Sequence, residues 1–346
     1  MVKKKITFDG FNRKDGRLGV EADLIVDLLK KHYDVELSNT PDYIFCNVAS
    51  KEHLKYDGIR IFCTIEAICP DFNLCDYGIG FEYLTYGDRY FRFPNYCFTP
   101  RTVDGMATKH LDIDNGMAER SFCSFVYSNG EADSMRIKLF RRLSKYKRVD
   151  AGGMLLNNQQ GHLRVKDKME FEQRHKFSIA CENASHPGYH TEKLAEAFAA
   201  KTVPVYWGDP EVEKVFNPRA FINCMKFSSI DEVVERVIYL DTHPKEYLSM
   251  LREPALREQT EGVQSEYEIN RLENFLLHIF EQPLEQAYRR NRGFWGRNYL
   301  QEKRSEARVI ERYLKLRSWG IIGYLAKLKS ARIKKKREEE TIRDAE

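Results

Sequence analysis

Apolar and polar positions alternate along this chain in two rhythms. Phe177 to Cys181 and Val203 to Trp207 are short apolar runs, rich in β-branched and aromatic residues and bounded by turn formers, as buried parallel strands are. Between them Leu194, Ala197, Phe198 and Lys201 recur at helical spacing, with Thr191 in the capping position. The stretch predicts a βαβ unit with Glu192 and Lys193 in the first turn of its helix. The same alternation opens the chain. A strand begins at Ile6 to Phe8, a helix over Asp23 to Tyr33 aligns Leu24, Ile25, Leu28 and Leu29, and strands return at Tyr43 to Val48 and Ile59 to Ile65. This is the pattern of an open α/β sheet. Glu66 and Glu82 fall just beyond strand ends, where such sheets collect functional groups.

A polar stretch from Thr102 to Arg120 reads as a linker, and a second α/β unit starts at Ser121 to Tyr127. Arg136 follows that strand and a glycine-containing loop, opening a helix pattern through Ile137, Phe140 and Leu143. A guanidinium there suits a bidentate grip on phosphate, although the local pattern by itself favours an ordinary helix-surface arginine. Gly152 and Gly153 read as a loop where backbone can approach a nucleotide. Ile230, Val233, Val234, Val237 and Ile238 form one helical stripe, read as core. His186 and His190 are four apart, but Pro187 and Gly188 between them prevent a helical metal pair, so they read as loop residues.

With 346 residues, 42% hydrophobic and 12% aromatic, the chain can bury two cores of ordinary domain size. The formal charge of +4 conceals an uneven spread: residues 289–346 hold 18 Lys and Arg against 8 Asp and Glu, a net of +10 that leaves −6 for the rest. This predicts an acidic catalytic body with a basic appendage. The start MVKKKITFDGFN lacks the apolar core of a signal peptide, and eight cysteines without a CxxC pair sit mostly in apolar runs. A cytoplasmic protein without structural disulfides is expected, and without a metal site.

At the βαβ turn, a helix amino end with free N–H groups and a partial positive charge is a place for a diphosphate, with Lys193 neutralising part of it and Glu192 accepting from ribose hydroxyls. The local pattern fits equally well with Glu192 complementing the helix dipole and Lys193 solvated. The wider segment adds to this. Phe177, Glu182, Asn183, Tyr189, Thr191, Glu192 and Lys193 stand in an order that resembles the donor-binding signature of the α-1,3-fucosyltransferase family (glycosyltransferase family 10), and VPVYWGDPEVEKVFNPRAFINC is similar to its bacterial branch. Cys63 to Pro94 and Ser124 to Gly153 extend the resemblance, which covers roughly residues 1–255.

The resemblance implies a GT-B architecture. Two Rossmann-like domains, 1–115 on the acceptor side and 116–288 binding the GDP-sugar, would face a cleft, followed by a basic amphipathic helical tail over 289–346. It implies inverting transfer of L-fucose from GDP-β-L-fucose to the 3-hydroxyl of N-acetylglucosamine in an N-acetyllactosamine-type glycan, as in Lewis-antigen-like lipopolysaccharide O-antigens. Arg136, Glu182, Asn183, Tyr189, Glu192 and Lys193 are the donor-binding residues it carries over. No cofactor is implied, and with two cations for the leaving group and no DxD motif near the signature a divalent metal is not expected to be essential. Bacterial members carry a GFDEL-like segment whose glutamate is the proposed base. Here Gly80-Phe81-Glu82-Tyr83-Leu84 puts Tyr83 at that position, so Glu82 is the first candidate and Glu66 the rival. Another GDP-sugar or another linkage is the alternative within this class.

In the tail, Ile321, Tyr324, Leu325 and Leu328 recur at helical spacing among Lys315, Arg317, Lys327, Lys329, Arg332 and Lys334 to Arg337, with Trp295 and Trp319 alongside. Residues 291–346 are expected to hold the protein reversibly on an anionic membrane surface, on the cytoplasmic face of the inner membrane. A basic, aromatic tail also raises a nucleic-acid-binding protein as a different class. The acidic body and the placement of the aromatics on an apolar stripe favour lipid over nucleic acid.

Overall fold

A computed structural model describes residues 1–11, 18–257 and 265–318. These form two compact units, the first from Met1–Phe98 with the segment that begins at Glu266, the second from Thr99–Ser265.

In the first unit the strands β1 (Lys3–Asp9), β2 (Asp34–Leu37), β3 (Tyr43–Cys46), β4 (Ile59–Cys63), β5 (Tyr77–Gly80) and β6 (Tyr90–Arg92) pair in parallel in the order β2-β1-β3-β4-β5-β6. The helix α1 (Val20–Lys30) buries Ala22, Ile25, Leu28 and Leu29, the stripe that its periodicity predicts. Because the order reverses between β1 and β3, a crevice opens at their carboxyl ends. A cavity of about 210 Å³ lies there, lined among others by Gly10, Glu21, Asn47, Thr64 and Glu66.

The second unit opens with the helix α2 (Pro100–Ala107), which sequence reading assigned to a linker. Its polar composition hides a short apolar face of Thr102, Val103 and Met106, all buried. Gly105 lets that face approach a neighbouring helix: a Cβ there would lie 2.9 Å from the Cβ of Ala199. The strands and helices then alternate as β7 (Ser121–Phe125), α3 (Met135–Ser144), β8 (Val149–Ala151), α4 (Lys168–Glu172), β9 (His175–Cys181), α5 (Glu192–Ala199), β10 (Val203–Trp207) and β11 (Ile222–Asn223), followed by α6 (Ile230–Thr242) and α7 (Pro244–Arg252). The parallel order β11-β10-β9-β7-β8 reverses between β7 and β9. Phe125, Phe177, Ile179, Val203 and Val205 from its strands pack with Leu139, Leu143, Val233 and Val237 from its helices.

The chain then returns to the first unit. Helix α8 (Ser265–Phe280) stacks Phe280 on Tyr43 with ring centroids 4.0 Å apart, and the Phe280 carbonyl accepts from Lys4 at 2.6 Å. After α9 (Leu284–Ala287), the buried Arg290 pairs with Asp76 at 2.9 Å, and helix α10 (Phe294–Ser318) follows. The two units divide at 98 and 265 rather than at 115 and 288: α2 packs on α5, α8 packs on the first sheet, and Arg289 and Arg290 after α9 donate their backbone N–H groups to Asp76. Helix α10 exposes Trp295, Val309, Ile310, Tyr313 and Leu314. The stripe expected at Ile321, Tyr324, Leu325 and Leu328 lies outside the described residues. Among the described residues no helix is long and apolar enough to cross a membrane.

Candidate functional site

The donor-signature residues meet at the crevice between β7 and β9, where strand order reverses. Tyr127, just past β7, ties the two strand ends together: its hydroxyl donates to the Ile179 carbonyl at 2.8 Å and accepts from the Cys181 N–H at 2.6 Å. Its ring lies beneath the Arg136 guanidinium, 4.5 Å from the centroid. Arg136, in the first turn of α3, is almost fully buried. It donates to the Glu182 carbonyl at 2.8 Å and to Asn183 Oδ1 at 2.9 Å, while its Nε is buried without a partner. A buried N–H left open in this way is a site for an incoming acceptor.

Glu182 is fully buried one residue beyond β9 and serves as a hub. Its carboxylate accepts from both the backbone N–H and the hydroxyl of Thr191 at 2.7 Å, with the Lys193 ammonium 3.4 Å away. Thr191 in turn caps α5 by accepting from the Lys193 N–H. Burial pushes the Glu182 carboxyl upward against the opposing pull of Lys193. Burial lowers the affinity of Lys193 for its proton, but Glu182 and Glu192 outweigh it and the ammonium is held more firmly than usual. Glu192, 3.0 Å from Lys193, is raised by burial and lowered by Lys193 and Lys168, with a net downward shift. It stays ionised and partly exposed, as an acceptor of hydroxyl groups must be.

The loop from Asn183 to His190 is pinned by a residue that sequence reading missed. Asp209, at the turn after β10, accepts from Gly188 N–H at 2.9 Å and pairs with His190 at 2.8 Å, both side chains fully buried. Its position just past a strand end was the available signal. His190 is thus a buried anchor, and Tyr189 beside it is buried too. Gly208 at φ 156° completes the packing, since a Cβ there would lie 2.4 Å from Glu182 Cγ. The glycine pair at 152 and 153 makes room for close packing. A Cβ on Gly153 would lie 1.9 Å from the Tyr127 carbonyl oxygen, and one on Gly152 would meet Val165 and Phe171.

The two carboxylates lie in the first unit, beyond adjacent strands. Glu66 is exposed, three residues past β4, and lines the crevice cavity. Glu82, two residues past β5, turns inward and is 7% exposed, while Tyr83 points outward beneath the Arg92 guanidinium. Seven of the eight cysteines are buried and all are free; Cys69 is exposed. Among the described residues no group of three or more His, Cys, Asp or Glu side chains is arranged to hold a metal ion.

Comparison with known proteins identifies relatives of the chain. Residues 7–99 match the family model of the α-(1,3)-fucosyltransferase FucT N-terminal domain, and residues 118–266 that of the glycosyltransferase family 10 (fucosyltransferase) C-terminal region. An α-(1,3)-fucosyltransferase of Helicobacter pylori is 33% identical over 269 residues, 66% of this chain and 55% of the relative, so the chain spans little more than half of that protein. A crystal structure of an α1,3-fucosyltransferase with GDP-fucose superposes with a TM-score of 0.65 at 28% identity, covering 80% of this chain and 91% of the other. A crystal structure described simply as an α1,3-fucosyltransferase gives 0.68 at 27% identity, covering 85% and 93%.

Proposed function

The chain belongs to glycosyltransferase family 10, the fucosyltransferases, and from that membership we propose that it transfers L-fucose from GDP-β-L-fucose to the 3-hydroxyl of N-acetylglucosamine in N-acetyllactosamine-type acceptors, with inversion. The observation that carries the reading is the convergence of Arg136 and Lys193 on one residue, Glu182, at the β7/β9 crevice. Two cations from separate segments are thereby brought to one place, where a departing diphosphate requires them.

In this reading the hydroxyl oxygen of the acceptor bonds to the anomeric carbon as the bond from that carbon to the diphosphate breaks, its electron pair leaving with GDP. The hydroxyl proton passes to a carboxylate, and the sugar crosses an oxocarbenium-like state. Glu82 is the assigned proton acceptor and Glu66 the rival. Arg136 and Lys193 neutralise the departing charge, so turnover does not require a divalent ion. Glu192 accepts from ribose hydroxyls, and Asn183 and Tyr189 shape the loop over the donor.

Product analysis with GDP-fucose and a panel of type 1 and type 2 disaccharides tests the reading. Fucose on the 3-position of glucosamine in type 2 acceptors is expected. No transfer of fucose to any of them overturns it. Near-normal turnover of Glu82→Gln together with an inactive Glu66→Gln would transfer the base to Glu66. The basic segment over 291–346 supports placing the enzyme on an anionic membrane surface at the cytoplasmic face, where lipopolysaccharide precursors are built. Binding to anionic vesicles and not to RNA, by the full chain but not by one ending at 290, is the expected result.

A further inference from the structure

Glu82 folds back over β5 instead of reaching into solvent. The Tyr90 hydroxyl, on the adjacent β6, donates to its Oε2 at 2.7 Å. The other oxygen, Oε1, is buried and accepts no hydrogen bond of good geometry. The Cys69 thiol faces the same carboxylate, whose hydrogen bond and charge, after burial, push that thiol up, so it stays a neutral neighbour of Glu82. Glycine makes room for this contact: a Cβ on Gly80 would lie 2.7 Å from Oε2 and 3.0 Å from the Tyr90 hydroxyl. In the parallel register Gly78 faces Tyr90 and Gly80 faces Arg92; Pro70 and Phe72 fill the space at Gly78, and the tyrosine hydroxyl and the carboxylate share the space at Gly80. Burial, then the charge of Glu82, pushes ionisation of the Tyr90 hydroxyl far upward. It remains a donor.

A buried carboxylate oxygen with no donor is costly to keep, and native proteins hold few of them. A sugar hydroxyl is a donor of the kind that Oε1 lacks. We propose that Tyr90 is a positioning residue that occupies Oε2 of Glu82 and so reserves Oε1 as the atom that takes the acceptor proton. The proposal rests on the assignment of Glu82 as proton acceptor. Tyr90 gives up no proton in the cycle. The hydroxyl proton moves to Oε1 as the new glycosidic bond forms and is released to water after the product leaves. The arrangement also accounts for a carboxylate one residue earlier than the family pattern: Glu82 lies past the end of β5, where the strict alternation of strand side chains no longer dictates its direction.

Tyr90→Phe removes one hydrogen bond and keeps the ring. With the full chain, GDP-fucose and N-acetyllactosamine, the acid limb of the pH profile of kcat/KM is expected to move to higher pH, since the variant has lost a donor to a carboxylate oxygen. The kcat should fall about tenfold with the KM for GDP-fucose unchanged. Gly80→Ala, which pushes the carboxylate away from the tyrosine, is expected to shift the limb in the same direction, and Glu82→Gln to be inactive. An inactive Glu82→Gln combined with unshifted profiles for both Tyr90→Phe and Gly80→Ala overturns the role of Tyr90 and leaves the base assignment standing. Lowered thermal stability without a shift of the limb counts as the same negative. Normal turnover by Glu82→Gln removes the base assignment and the proposal with it.

Discussion

The Arg136 guanidinium donates to the backbone carbonyl of Glu182 at 2.8 Å, across 46 residues of sequence, and its Nε is left without a partner. Held by carbonyls and stacked on Tyr127, the cation is oriented before any ligand arrives. Pre-orientation of this kind makes a donor worth more to a transition state than a mobile surface charge is.

Arg136→Ala is accordingly expected to lower kcat/KM for GDP-fucose by at least about a hundredfold. Arg136→Lys, which keeps the charge and loses the fork, should recover only part of it. Steady-state kinetics at saturating acceptor checks both, and an Arg136→Ala enzyme within threefold of the parent contradicts the assignment.

Glu182→Gln tests the hub. The carboxylate serves two donors of Thr191 as well as Lys193, and an amide places an N–H against one of them. With the buried pair broken, stability should drop by roughly 3 kcal/mol, read as a lowered urea midpoint. An unchanged midpoint would mean that the loop holds its shape without this carboxylate.

Lys109 predicts a pH dependence away from the site. It is fully buried in the second unit, with its ammonium donating to the Glu253 carbonyl at 2.8 Å. Burial, only partly opposed by Glu253, pushes its pKa down from 10.5 to about 7. Below pH 7 both folded and unfolded chains carry the proton and the folded one bears the buried charge. Between about 7 and 10.5 the unfolded chain binds more protons, so this group's contribution to stability rises with pH across that window, by at most about 1.4 kcal/mol per unit. Chemical unfolding of Lys109→Met is expected to lose that rise. A Lys109→Met curve parallel to the parent between pH 7 and 9 would show that the lysine is not neutralised on folding.

Chelation tests the charge scheme. If Arg136 and Lys193 neutralise the leaving diphosphate, saturating EDTA should leave fucose transfer unchanged within error. Complete loss, restored by manganese, would show that a divalent ion supplies the charge instead.

Much of this protein was legible in its sequence because local rules suffice for much of it. The run Val203 to Trp207 forms β10 with those bounds, and Thr191 caps α5, since apolar periodicity and a capping hydroxyl act within a few residues. Arg136 was placed correctly at the head of α3 by the same means. Helix α2 escaped because its apolar face spans barely one turn and its partner, α5, lies some ninety residues on. The close approach of Gly153 to Tyr127 was not legible, because nothing nearby in sequence indicates it.

What the sequence determined by itself was the alternation of strand and helix, the helix start that offers Lys193, and the identity of the charged groups available. Only the tertiary structure decided which of those groups meet. It joined Arg136 to Lys193 through Glu182, locked His190 to Asp209, turned Glu82 inward to Tyr90, and sent α8 back to the first sheet. The reason is physical: periodicity and caps are set by neighbours along the chain, whereas a buried charge settles where remote segments together supply enough donors and countercharge to offset its loss of water.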